Sequence, residues 1–439
     1  MFTARATLRE FRRLPAEELP VILQHDRRDL ANQRVMSIFN QAAPAIIDIQ
    51  RARDVIPNMA DNLILHAGPP IAWADVAGPM QGAIMGAAVY EGLAHDLETA
   101  RVLLERGEIR IAPNHQHDAI APMAGVISAS MPVWVIEDSV NHTRAYSNLN
   151  EGPGAALRYG ANSPAVIERL RWIQAVLAPR LREAVLRLAP LPIFPLVREA
   201  LHMGDECHSR NRAALCLLIQ ALIPGLMKTS LTTAEIDEVL SFMIGRDYFF
   251  LNLTMASCKA AWLAAEAVPN ASIVTAFSRN GVEFSIRVQG RWFTAPSPVV
   301  TGHYFPGFTA ADANRDLGDS AITEASGLGG FAVGGAPAIT EFIGGTVEYL
   351  TAAMMEMYKI TVEQSTHFDL AMLGGRGTPS GVDIYKVIET GIQPIITTGI
   401  AHRLPGIGQI GAGYVRAPLE CFTKAAQFIE QSITSDTAR

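Results

Sequence analysis

A chain of 439 residues, 49% hydrophobic and 18% charged, is long enough to bury a sizeable core and too apolar for a disordered scaffold. Its net charge of -7 argues against non-specific binding to nucleic acid. The four cysteines, Cys207, Cys216, Cys258 and Cys421, form no close-spaced pair, so neither a zinc ribbon nor a disulfide framework is expected. Arg5, Arg9, Glu10, Arg12 and Arg13 near the start flank no apolar stretch of signal-peptide type. Ala213 to Met227 is too short to span a bilayer, and Pro122 and Pro132 interrupt Ala119 to Ile136. The expectation is a cytoplasmic protein that engages neither membrane nor nucleic acid.

Residues 28–42 carry apolar groups at helical spacing, and Pro44 and Pro57 then break the pattern. Pro79 suits the first position of a helix reaching about Leu93, rich in small residues that permit close packing. Asp96 to Arg106 reads as an amphipathic helix, and Ile109 to Ala112 and Val133 to Ile136 as strands. These define an N-terminal α/β domain, residues 1–160. Residues 161–268 read as a helical domain, with helices over 165–187, 193–202, 210–227, 232–244 and 248–266. Residues 269–439 form a C-terminal α+β domain. It opens with strands at Ile273 to Phe277, Val282 to Gln289 and Arg291 to Thr294, and Asn280-Gly281 marks a hairpin turn. Gly318 to Gly345 encloses an apolar helical run, Pro394 to Thr398 is a last strand, and Pro418 to Gln431 a last helix. The fold class expected is α+β, two mixed α/β parts with a helical domain inserted between them.

Polar clusters interrupt this apolar pattern. The densest runs from His202 to Asn211, with His202, Asp205, Glu206, His208 and Arg210 inside ten residues. Gly204 predicts one helix ending near His202 and another starting near Asp205 or Ser209, which puts the acidic pair at a helix N-terminus. Asn114-His115-Gln116-His117-Asp118 follows a strand, and two histidines two apart on extended chain face one side, as paired acid–base groups or metal ligands would. Ser278-Arg279-Asn280 puts an arginine at a hairpin end, where its fork suits a carboxylate or phosphate. Asp319 and Glu324 lie in a glycine-bearing stretch whose backbone N–H groups can approach an anion. Gly406-Ile407-Gly408-Gln409-Ile410-Gly411 matches the dinucleotide fingerprint by letter. It leaves no room for a βαβ unit before Pro418, so no nicotinamide cofactor is expected; His402 beside it is a candidate site residue. No spacing fits a zinc pattern, and no metal is expected.

Six of these stretches, in this order, resemble the YlbE/AllG-like family. They are Gly78 to Ala83, His117 to Gly125, Gly204-Asp205-Glu206, Arg279-Asn280-Gly281, Gly318 to Glu324, and Gly399 to His402 with its glycine run. The resemblance covers nearly the whole chain from about residue 60. It implies a mixed α+β fold and the activity of an oxamate carbamoyltransferase, which moves a carbamoyl group between oxamate and phosphate in allantoin breakdown. It also implies an FdrA-like subunit and a small third subunit as partners, with self-association also possible. The chain departs from classical carbamoyltransferases in having no Ser-x-Arg-Thr phosphate loop, so its anion site must be built differently.

Carbamoyl transfer needs a cationic fork, oxyanion donors and a proton carrier. The residues expected to bind substrate are Asn114, His115, Arg210, Asn211, Arg279, Asn280, Asp319, Glu324 and His402. Proton transfer falls to His117 or His208, oriented by Asp118, Asp205 and Glu206. Two other readings stand beside this one: a metal-dependent amide or ureide hydrolase built on the four histidines, and a non-catalytic subunit completing a partner's site.

Overall fold

The computed structural model describes the backbone of residues 19–437 and the side chains of residues 27–431. The arginine-bearing start, Arg5 to Arg13, lies outside the described residues. The class is α+β, with five separate sheets and helices throughout among the described residues.

The first sheet has the order β5-β4-β1-β6, with β1 Pro44–Arg51, β4 Pro132–Asp138, β5 Thr143–Asn148 and the two-residue β6 Leu191–Pro192. Pro44 and the residues after it therefore begin a strand, where the proline pattern predicts only a break. A proline at the first strand position loses little, and Ile46 and Ile49 supply the buried face. In the β1–β4 register Ile46 opposes Ile136 and Ile49 opposes Trp134, with an irregularity between Ile46 and Asp48. A parallel pair, β2 Leu63–His66 and β3 Arg110–Pro113, carries the first histidine cluster at its end.

Helices α1 Leu19–Gln41, α2 Gly78–Glu91 and α3 Leu97–Glu105 accompany these strands. Residues 164–263 then hold α4 Pro164–Trp172, a π-helical turn at Ile173–Leu177, α5 Ala178–Leu186, α6 Phe194–His202, α7 Arg212–Leu226, α8 Thr233–Met243 and α9 Tyr248–Leu263. Helix α9 is buried along almost its whole length and packs on β4 and β5. One continuous hydrophobic core runs through residues of all three sequence segments, from Val35 through Phe250 and Trp262 to Ile429.

The C-terminal segment contributes the sheet β11-β7-β8-β9, with β7 Ala276–Asn280, β8 Glu283–Val288, β9 Arg291–Pro296 and β11 Leu317–Gly318. The turn at Asn280-Gly281 forms as the sequence predicts: Asn280 Oδ1 accepts from the N–H groups of Val282 and Glu283, and Gly281 takes φ +86°. Strand β7 is shifted three residues toward the turn relative to the expected Ile273 to Phe277. The glycine run near the C-terminus is β15 Gln409–Arg416, paired with β10 Thr301–Tyr304 and β14 Ile395–Ala401. A Cβ at Gly411 or Gly413 would meet the backbone carbonyl of His303 or Thr301 at 2.3 and 2.1 Å. These glycines serve close strand contact and not a phosphate turn.

Between Gly318 and Gly345 the expected helical run is instead a chain of short turns, because Gly327 and Gly329 take positive φ and interrupt it. Helix α10 Val347–Ile360, the hairpin β12 Thr361–Leu370 with β13 Arg376–Val382, α11 Ile384–Thr390 and α12 Leu419–Thr437 complete the chain. Among the described residues no helix is long and apolar enough to cross a membrane.

Candidate functional site

Two buried carboxylates organise the polar interior. Asp319 follows β11 and accepts from the N–H groups of Gly68 and Ala121 at 2.8 and 3.3 Å, from Asn114 Nδ2 at 2.9 Å, and from the Ser278 hydroxyl. Burial pushes its carboxyl above the usual range, and these donors oppose the shift. Glu324, five residues further, accepts at Oε1 from the N–H groups of Gly330 and Thr397, 3.1 and 3.0 Å away. His208 Nδ1 stands 2.8 and 3.0 Å from its two oxygens. With Nδ1–H donating to the carboxylate, Nε2 is the ring atom left to accept or release a proton.

The His202 to Asn211 stretch folds around this pair. Helix α6 ends at His202, Gly204 takes φ +91°, and α7 starts at Arg212, later than the sequence suggests. Asp205 still reaches the new helix, accepting from Ala214 N at 2.9 Å in its first turn. Glu206 instead closes its own loop through the N–H groups of His208 and Arg210, at 2.7 and 2.8 Å, and of Ser209. Burial, and then the charge of Glu324, push Glu206 well above the usual carboxylate range. Asn211 Nδ2 donates to the His208 carbonyl at 2.7 Å.

His208 and Ser209 line a narrow cleft together with Met123, Arg158, Tyr159, Tyr248, Ser320 and Gly399. Arg158 is its distinguishing group. The side chain is 4% exposed, and no carboxylate stands within ion-pair distance among the described residues. Nη2 donates to the Tyr159 hydroxyl at 2.6 Å, and Nε and Nη1 have no partner. The guanidinium carbon lies 4.4 and 4.6 Å from the ring centroids of Tyr159 and Tyr248, so the cation is held between two aromatic faces. Burial pushes both phenols up, so they stay protonated and uncharged. An aromatic sandwich that leaves guanidinium N–H groups unpaired is a receptor for a small anion approaching in the guanidinium plane. Met123 holds a left-handed backbone (φ +56°) on the wall, where a Cβ at Gly318 would come within 2.5 Å of its nitrogen.

Other sequence candidates are engaged elsewhere. Arg279 is buried, with Nε and Nη2 paired to Asp316 at 2.8 and 3.1 Å, Nη1 to the Gly318 carbonyl at 2.7 Å, and Nη2 also to Thr398 at 3.1 Å. Asn280 closes its turn, as above. Arg210 spans the Gly204 carbonyl and Asp205, at 3.2 and 3.3 Å. His402 Nδ1 accepts from Leu404 N at 3.0 Å and holds its loop. The pair His115 and His117 does not share a side as expected. Asn114–His117 is a 3-10 turn, so His115 points inward at 1% exposure, whereas His117 meets the Pro57 carbonyl at 2.7 Å nearer the surface. His202 pairs with Asp369 at the surface. The four histidines of the hydrolase reading thus stand in different surroundings, and no three metal-ligating side chains converge among the described residues. The larger groove beside β1 and α5, about 570 Å³, contains none of the clustered residues, and its Arg182 is paired with Asp48.

The sequence reading missed Arg158, Tyr159, Tyr248, Ser209 and Ser320. The only local signal was an arginine followed by an aromatic and a glycine, Arg158-Tyr159-Gly160, closing a stretch that opens with Gly152-Pro153-Gly154.

The fold and site together define an α+β protein with a narrow cleft that holds a buried arginine beside a carboxylate-held histidine. The family described as "Oxamate carbamoyltransferase subunit AllG" matches residues 109–320, which include Arg158, His208 and Ser320. The Escherichia coli protein "Oxamate carbamoyltransferase subunit AllG" is 44% identical over 92% of this chain and 98% of its own length. "Uncharacterized protein YahG" of the same organism is also 44% identical, over 91% of this chain and 85% of its own. A crystal structure of a conserved protein of unknown function from Enterococcus faecalis superimposes with a TM-score of 0.91 at 41% identity, covering 93% of this chain and 99% of that one. The chain belongs to the AllG family.

Proposed function

We propose that this chain is a carbamoyltransferase subunit that acts on oxamate or a related small amide, with the anionic end of the substrate on Arg158. The observation that carries the reading is the unpaired, buried guanidinium between Tyr159 and Tyr248. Arg279, the fork favoured by its hairpin position, has its donors engaged and is assigned a structural role.

The chemistry follows from the pocket. Hydrogenphosphate attacks the carbamoyl carbon of the N-carbamoyl substrate, and the bond from that carbon to the amide nitrogen breaks. The proton of hydrogenphosphate passes to His208 Nε2 and from there to the departing nitrogen. Carbamoyl phosphate and oxamate result, and the ring returns to neutral. Glu324 supports this cycle by fixing the tautomer and stabilising the transient imidazolium. Ser209, Ser320 and the N–H groups around them are the candidates for meeting the oxyanion. Asn114, Asp205, Glu206, Asn211 and Asp319 hold the segments behind the pocket in place; no contact with substrate is proposed for His115, His117, Asp118, Arg210, Asn280 or His402.

The reaction is proposed to take place in a cytoplasmic complex with an FdrA-like subunit and a small third subunit, the arrangement that the family resemblance implies. The test is carbamoyl phosphate formation by the chain purified with those subunits. Arg158→Gln is expected to lower turnover per substrate roughly 100-fold or more while the complex still assembles. Full activity in that variant would sink the reading. Activity lost only together with assembly would favour a non-catalytic subunit.

A further inference from the structure

Beside Asp319 three elements meet: the Asn114–His117 turn, the C-terminal end of α9, and the β8–β9 hairpin. Lys259, fully buried, reaches Glu266 Oε1 at 2.8 Å, and Arg287 Nη2 reaches Glu266 Oε2 at 2.9 Å. Two cations therefore share one carboxylate. Arg287 lies over the ring of Trp292, 5.4 Å from its centroid, and His115 meets the same ring edge-on at 5.1 Å. Arg287 Nε and Nη1 and both ring nitrogens of His115 are buried without a hydrogen-bond partner. Asp118, half-buried, faces Lys259 and Arg287 without coming within ion-pair distance of either.

The unmet demand here is one-sided. Arginine and lysine only donate, so what the cluster lacks is chiefly acceptors. Water would bring as many donors as acceptors, whereas an oxyanion brings acceptors alone, beside a Lys259–Glu266–Arg287 trio whose left-over positive charge is met only at longer range by Asp118. The imidazole is neutral, since burial and both cations hold His115 well below its ordinary value, and it can still donate one N–H.

We propose that Arg287, Lys259, His115 and Trp292 form a second binding site, sharing no residue with the Arg158 pocket, that takes a small oxyanion of the carboxylate or phosphate type. His115 Nε2 lies 3.7 Å from Asp319 Oδ1, and Ser320 next to Asp319 lines the first pocket, so a ligand here adjoins the wall of the reaction site.

The full-length Arg158→Gln variant silences the first pocket and isolates the second. Titration calorimetry with inorganic phosphate and, separately, acetate is expected to show binding of at least one; heat with phosphate alone assigns the phosphate type and heat with acetate alone the carboxylate type. Adding Arg287→Gln is expected to weaken it at least tenfold, and adding His115→Leu, which leaves the Lys259–Glu266–Arg287 trio intact, to weaken it as well. Crystals of Arg158→Gln soaked in selenate should give an anomalous peak between Arg287 and His115. Absence of both heat and peak overturns the proposal, as does binding unchanged by both added substitutions. Should Arg287→Gln fail to fold, the selenate map and the His115→Leu titration decide.

Discussion

Arg158 and Arg279 are both buried arginines, and their surroundings differ in one respect that separates structure from chemistry. Arg279 sits in β7 with a carboxylate, a carbonyl and a hydroxyl answering its donors. The Arg158 side chain has two aromatic faces, one phenol oxygen and, among the described residues, no carboxylate within ion-pair distance, Glu151 meeting only its backbone N–H. Burying an unpaired cation is unfavourable, and a fold tolerates it where a ligand supplies the missing charge. The arginine that looks catalytic from its place at a hairpin end is the structural one. The unremarked arginine, in a short turn before Gly160, is the one proposed as the receptor.

Substitutions should pull the two apart. Arg279→Ala leaves Asp316 buried without its partner and is expected to cost about 3–5 kcal/mol in urea unfolding, the largest effect anticipated. Arg158→Gln should change unfolding stability by less than about 1 kcal/mol while lowering kcat/KM roughly 100-fold, which is about 2.7 kcal/mol of transition-state stabilisation. Equal stability losses in the two variants would erase the distinction. Glu324→Gln tests the proton carrier beside Arg158: kcat is expected to fall about tenfold to 100-fold with little change in KM, and the pH–rate profile to move with it.

A surface pair sets the lower end of the scale. Hydrogen bonding from Arg198, opposed by partial burial and helped by His202, holds Asp369 below the usual carboxylate range. A carboxylate lowered in the folded state adds stability above its unfolded value of about 3.9, and that stability is lost as pH falls through the folded value. Asp369→Asn should therefore cost under about 1 kcal/mol at neutral pH, and below about pH 4 its melting temperature should converge on that of the parent.

Much of the fold was legible because local signals and tertiary structure agree. Pro79, Pro164 and Pro195 stand in the first turns of α2, α4 and α6, and Asn280-Gly281 forms its hairpin. Strands were lost where composition conceals them: β15 reads as a glycine loop, although Gly411 and Gly413 are there to admit the neighbouring backbone. In the site, His208 and Glu324 could be singled out as polar groups in apolar surroundings. Their pairing spans 116 residues and no local pattern encodes it. Arg158 was invisible for a stronger reason. What marks it is the lack of a carboxylate beside it, a property of the assembled neighbourhood and not of any stretch of sequence.

Asp319 draws its four donors from Gly68, Asn114, Ala121 and Ser278, so the wall it fixes depends on segments more than 200 residues apart. No fragment of the chain can supply all four and the carboxylate as well without nearly three-fifths of the protein between them. The proposed anion capture would therefore be gained late in folding, when long loops have closed, and a truncated or half-folded product is expected to show no binding.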